Sequence, residues 1–400
     1  MLVGGGGKPV ELAAGQGSQL PQVGLGPRQV VRPGPDAQHQ GQVWVSIVKV
    51  RIFGAHRNLL QKTDSPVPIV YSDARVEGKE DPMVEASTLP KFDDLPQLPT
   101  GERHSWDVFG RADQLGTLNF ITPSQVLRAI RTVTEGRVIN LSLPLDLPNP
   151  SLVSTRRVYQ HYVSTGRLAR DDWLDGFYPQ ASSQWDSLQH IRYRQFGFYG
   201  GREDADLDRG ELGIDAIARR GIVGRGVLVD AAACFEALGR PLPPDRRTVL
   251  RPHDLERVLA WEKVEIEPGD ILVIRTGWVR WYLGLDEAGR KSLAGGLDGG
   301  TLETVGLDPG QPTAAWLWDH RVAAVAADNP AVEALPVRRE EGFLHQRLIA
   351  LLGMPLGELW DLEELSAACR ELGRYYFLLV SAPLYIPRGV GSPANAYAIL

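Results

Sequence analysis

Four short apolar runs, separated by stretches of helical periodicity, do most to fix what this 400-residue chain can fold into. They lie at 226–229, 270–275, 323–326 and 375–382. The last two are almost continuously apolar, as strands are when both of their faces are buried. Between the runs, 255–261, 341–352 and 362–372 repeat apolar residues at the spacing of an amphipathic helix. Further upstream, 123–133 has the same spacing, Gly136 ends it, and 137–145 alternates as a strand does. Strands and helices that alternate can bury their apolar surfaces only by stacking in layers, so the expected fold class is α/β.

The first 85 residues read differently. Gly, Pro and Gln dominate up to residue 42, apolar periodicity is absent, and only 43–53 has the composition of a strand. Met83 opens a more ordinary amino-terminal sequence. The expectation is a disordered or non-native extension over 1–85 and a single domain over 86–400.

Charge and composition exclude several classes of partner. A formal charge of -6 argues against the basic face that a nucleic-acid partner needs. No apolar run approaches the roughly 18 residues of a membrane span, and the glycines 4–7 beside Lys8 are not followed by a secretory apolar core. Cys234 and Cys369 are too few for a disulfide framework and lack metal-ligand spacing, so both read as small buried hydrophobes. These features lead us to expect a cytoplasmic protein. No Gly-x-Ser-x-Gly elbow occurs, which disfavours a serine hydrolase.

Chemistry concentrates in what reads as one loop, Gln180-Ala-Ser-Ser-Gln184-Trp185-Asp186-Ser-Leu-Gln-His190. Two amides, a carboxylate and an imidazole in eleven residues are costly to bury without a task. Far downstream stand a lone His345 and Glu358. Other acids have plainer readings: Asp230, Asp270 and Asp328 sit at strand ends or in Pro-Gly-Asp and Asp-Asn-Pro turns, where turn hydrogen bonding accounts for them. His161 and His320, each among aromatics, are weaker candidates, and the glycine-rich loop 291–310 is a candidate lid.

The cluster resembles the signature of the cyclase family, metal-dependent hydrolases that include kynurenine formamidase and isatin hydrolase. That signature is His-x-Gly-Thr-His-x-Asp-x-x-x-His, followed much later by a His and then a Glu. Asp186 and His190 fall on its Asp and last His, His345 and Glu358 on the distal pair, and Gln180 and Gln184 stand where the first two His would be. The blocks Gly226-Val-Leu-Val-Asp230, Pro268-Gly-Asp-Ile-Leu-Val-Ile-Arg-Thr-Gly277, Ala326-Ala-Asp328-Asn-Pro and Pro383-Leu-Tyr-Ile-Pro follow in family order, so the resemblance spans 109–400. It implies a swivelling β/β/α-type domain with a mixed, partly closed sheet and flanking helices, and a homodimer.

The resemblance also implies a reaction: hydrolysis of an amide, formamide or lactam, with arylformamidase chemistry of tryptophan catabolism as the family suggestion. Asp186, His345 and Glu358 would hold a divalent metal, Zn or Mn, leaving a position for water, and His190 would move the proton. Gln180 and Gln184, poorer ligands than imidazole, make a dinuclear centre an unlikely fit and are assigned to substrate binding. Trp185 and Tyr199 are assigned to substrate as well, with Tyr193, Phe196 and Phe198 completing an aromatic wall. Three outcomes stay open on residue types alone: one metal on the three-ligand set, a metal-free acid/base site, or a small-molecule-binding scaffold without catalysis.

Overall fold

The structure, a computed structural model, describes residues 89–400; the extension expected over 1–85, with its strand at 43–53, lies outside them. Thirteen strands occur among the described residues: β1 (Val138–Asn140), β2 (Gln160–Thr165), β3 (Arg170–Asp175), β4 (Gln184–Asp186), β5 (Ile222–Asp230), β6 (Thr248–Leu250), β7 (Ile271–Arg275), β8 (Val305–Leu307), β9 (Ala324–Ala327), β10 (Leu356–Glu358), β11 (Tyr376–Ser381), β12 (Gly391–Pro393) and β13 (Ala396–Ile399).

Nine of them form one curled, mixed sheet in the order β1-β13-β11-β5-β7-β9-β10-β4-β12. Its centre, β5-β7-β9-β10, is parallel, and both flanks are antiparallel. Parallel neighbours need a crossover, which the helices Ala231–Ala237 and Pro252–Glu262 supply between β5 and β7, and Gln311–Asp319 before β9. Three of the four apolar runs become β5, β7 and β9 of this centre, and the fourth becomes β11 beside it. Every residue of β7 and β9 is buried, and each fully buried Leu, Ile or Val there contributes roughly 1.5–3 kcal/mol relative to exposure. The α/β expectation with a mixed sheet and flanking helices holds.

Departures from the sequence reading have local causes. β5 starts at Ile222, earlier than its apolar run, because its first half pairs with β11 from Ser381↔Ile222 onward. The stretch 341–352 forms a π-helix, Gln346–Leu351, rather than an α-helix of that length. The chemical cluster, expected as a loop, is partly a strand: β4 lies antiparallel on β10, with Gln184 opposite Glu358, and β12 closes its other side, with Gly391 opposite Asp186.

Outside the main sheet, β6 pairs with β8, and β2 with β3 in a hairpin exposed along its whole length. Tyr162 and Trp173 stack on that hairpin with ring centroids 5.1 Å apart. No helix among the described residues is long and apolar enough to cross a membrane.

Candidate active site

Strand alternation decides which members of the cluster meet. In β4 the side chains of Gln184 and Asp186 share one face and Trp185 takes the other. Trp185 is fully buried, meets Trp360 edge-on at 5.0 Å and donates its indole N–H to Ser381 Oγ at 2.9 Å. On the Asp186 face, Gln184 donates through Nε2 to Glu358 Oε2, its cross-strand partner in β10. Gln180 donates through Nε2 to Asp186 Oδ1 and lies 3.2 Å from His190 Nδ1. The two amides therefore brace the two carboxylates. Bare backbone at Gly391 permits this: a Cβ there would come within 2.5 Å of Gln180 Cγ and 2.8 Å of the Trp185 carbonyl oxygen.

His345 enters from the opposite side, at the start of the π-helix. Its Nδ1 lies 2.6 Å from Glu333 Oε1, while Glu333 Oε2 accepts the Leu344 amide at 2.7 Å. Glu333 is fully buried, so this carboxylate fixes the ring and turns Nε2 toward the cluster. Nε2 lies 2.9 Å from Glu358 Oε1 and 3.9 Å from Asp186 Oδ2. Ligand atoms of Asp186, His345 and Glu358 all fall within 4.8 Å of one another. His190 Nε2 stands 3.8 Å from the same Asp186 Oδ2.

One atom is conspicuous in this arrangement. Asp186 Oδ2 is buried and has no hydrogen-bond partner, and neither has Gln184 Oε1. A buried carboxylate oxygen without a donor carries a penalty of a few kcal/mol, which a cation held with His345 Nε2 and Glu358 Oε1 would remove. Two carboxylates and one imidazole suit a borderline divalent ion such as Zn or Mn. The residues present thus fit the metal that the sequence pattern implies.

Charge tells the same story. Burial opposes the His345 cation, but hydrogen bonds to Glu333 and Glu358, with their charges, hold its imidazolium well above the usual range. Burial, and then the charge of Asp186, push the Glu358 carboxyl up against the pull of His345 and His190. Three buried carboxylates around one imidazole need positive charge.

The cluster floors a cavity of about 440 Å³. Gln180, Gln184, His190, His345 and Glu358 reach it; its walls are aliphatic, with Leu152, Leu302, Leu335 and Val337, and one aromatic, Phe343, stacked on His345 at 5.0 Å. Leu297 and Gly300 of the glycine-rich loop also line it, and that loop is tied to the opposite wall through Leu297 N–H to the Leu152 carbonyl at 3.0 Å.

The expected aromatic wall is corrected. Trp185 and Tyr199 are fully buried in the core and do not line the cavity; the Tyr199 hydroxyl donates to Asp113 at 3.0 Å. Strand alternation sends Trp185 inward, away from its neighbours Gln184 and Asp186. Tyr193 and Phe196 stack on each other in a separate cluster with Leu98 and Leu351. Asp230 caps a helix through the Ala233 amide and Asp270 accepts the Glu267 amide, in keeping with the turn readings, whereas Asp328 accepts from Thr276 and Gly277, 52 and 51 residues earlier in the chain, and not within its own turn. His161 lies exposed on β2 and His320 bonds the Trp316 carbonyl; neither lines the cavity. Glu333 escaped sequence reasoning, although a lone acid inside Ala331-Val-Glu333-Ala-Leu335 was a signal.

Comparison with known proteins identifies the family. The family model Cyclase matches residues 139–334. A solved structure of a cyclase is 34% identical, with a TM-score of 0.65 over 74% of this chain and 99% of that one. The chain belongs to the cyclase family. Two isatin hydrolases A also resemble this cyclase-family chain: that of Labrenzia aggregata, bound to benzyl benzoate, is 16% identical over 69% of this chain and 97% of its own, with a TM-score of 0.48. That of Ralstonia solanacearum is 18% identical over 70% and 97%, with a TM-score of 0.45. No curated protein matches this cyclase-family member.

Proposed function

We propose that this cyclase-family protein is a hydrolase of a carbon–nitrogen bond in a small amide, formamide or lactam, with Asp186, His345 and Glu358 holding one divalent cation and His190 moving the proton. The observation that carries the reading is the unpartnered, buried Asp186 Oδ2 facing the Nε2 atoms of both histidines. When bound, the cation polarises a carbonyl and lowers the pKa of a water.

The chain's own residues supply the rest. With a cation taking the place of the imidazolium's Nε2 proton, Glu333 would keep the remaining His345 proton on Nδ1 and the Nε2 lone pair toward the cluster. Gln180 and Gln184 hold the ligand carboxylates in place. The Gln180 amide faces His190 Nδ1 and leaves the neutral ring's proton on Nε2, where it donates to oxygen in the cavity. Proton uptake at Nε2 then needs Nδ1–H, for which the Gln180 amide must draw away from the ring while it keeps its bond to Asp186. The aliphatic walls lower the local polarity and so strengthen each of these interactions.

Metal analysis of the purified protein, paired with turnover of formyl-anilides and lactams before and after chelation, tests this. We expect about one divalent ion per chain, loss of turnover on chelation, and at least a hundredfold loss of kcat/KM in D186N and H345A. A chain that binds small molecules equally well with and without chelator and hydrolyses none of them would be a silent binding protein, and the proposal would fall.

A further inference from the structure

Resting on the reading of this cavity as a substrate site, we propose that Arg156 is a specificity-determining residue that binds a carboxylate on the substrate, so that the enzyme acts on anionic amides with an apolar body. Among the described residues lining the cavity, Arg156 is the one guanidinium or ammonium. It is half-buried. The one hydrogen-bond partner of its guanidinium among the described residues is the backbone carbonyl of Gln180, which accepts from Nη1, and no described carboxylate lies within ion-pair reach of it. Asp298 feels its charge but is engaged by the Ser154 amide at 2.8 Å and by the Ser154 hydroxyl.

A cation lining an apolar cavity loses part of its hydration and, with Asp298 engaged by Ser154, gains no counter-ion within ion-pair reach, an arrangement that favours an anionic ligand. Guanidinium geometry matches a carboxylate through two parallel N–H donors, and one anchored nitrogen leaves the rest of the fork available. The anchoring residue matters too. The Gln180 carbonyl holds Arg156 while the Gln180 side chain holds Asp186 and faces His190, so a single residue sets the position of the anion-binding group relative to the reacting centre. Leu152, Val153, Leu302, Leu335 and Phe343 line the same cavity and suit an aliphatic or aryl body.

Calorimetric titration with 4-phenylbutanoate and its neutral isostere 4-phenylbutanamide, on wild type, R156A and R156K, tests the assignment without requiring turnover. Wild type is expected to prefer the carboxylate by about tenfold or more. In R156A that preference disappears, with carboxylate affinity down about 10–100-fold and amide affinity unchanged within about twofold; R156K keeps part of it. The titrations are repeated with chelator, because a carboxylate can also reach the metal set. A preference that survives chelation and vanishes in R156A supports the proposal, and it stands as an anion subsite even if no substrate is hydrolysed. A preference that persists in R156A, one abolished by chelation alone, or the absence of any Arg156-dependent preference overturns it. Thermal melts of both variants show that they fold, and R156K, which keeps the charge, separates anion binding from packing.

Discussion

At the scale of single residues, the candidate site is a contest between burial and charge that a few hydrogen bonds decide. Glu333 touches no cavity surface, yet it holds His345 at 2.6 Å and the backbone of Leu344 at 2.7 Å. Replacing it with Gln keeps an acceptor for the ring but removes its charge and sets an amide N–H against the Leu344 N–H. We expect E333Q to weaken divalent-ion affinity about 10–100-fold, read by competition with a chromophoric chelator, and to cost roughly 1–3 kcal/mol in denaturation. Unaltered ion affinity would remove Glu333 from the site. Legibility in the sequence divided along similar lines. Asp186, His190, His345 and Glu358 were found because they sit at a recognisable spacing, and the structure brings them together. Glu333 and Arg156 belong to no spacing: each matters through one partner that only folding supplies.

Secondary-structure elements show where periodicity carries information. β7 and β9 were readable because strands buried on both faces concentrate apolar residues. β4, β10 and β12 have three residues each, too few for any pattern, and their pairing joins segments remote in sequence. Reading 180–190 as a loop therefore missed the alternation that sorts Gln184 and Asp186 from Trp185. The β4–β12 pair also sets a steric condition at Gly391, beside which Gln180 packs. A methyl group in G391A must displace either the Gln180 side chain or the β4 backbone, at about 1–3 kcal/mol. We expect lower stability in chemical denaturation together with a reduced ion affinity, since Gln180 would no longer brace Asp186; an effect on stability alone would show that the amide is dispensable.

Across the whole molecule, stability carries a pH dependence set far from the cavity. Glu262 is buried with one oxygen on the Asp230 amide and the other unpartnered; burial, above all, pushes its carboxyl up to about 9 from 4.5. The folded chain thus keeps a proton that the unfolded chain has released between those values. Stability from this group is full below about pH 4.5 and declines as pH rises toward 9. E262Q should match wild type near pH 5 and exceed it by a few kcal/mol at pH 9, on the order of what such a shift represents, in urea titrations at several pH values. Parallel pH profiles for the two proteins would rule this out. The sheet that Glu262 underlies contrasts with the β2–β3 hairpin, whose every residue meets solvent. A two-stranded ribbon held by its own ladder, one Tyr162–Trp173 stack and an exposed His161–Asp172 pair is marginal by itself. Its amides can therefore open and close on their own clock, while those of β7 and β9 exchange only when the entire domain comes apart, giving one chain two separate tempos of breathing.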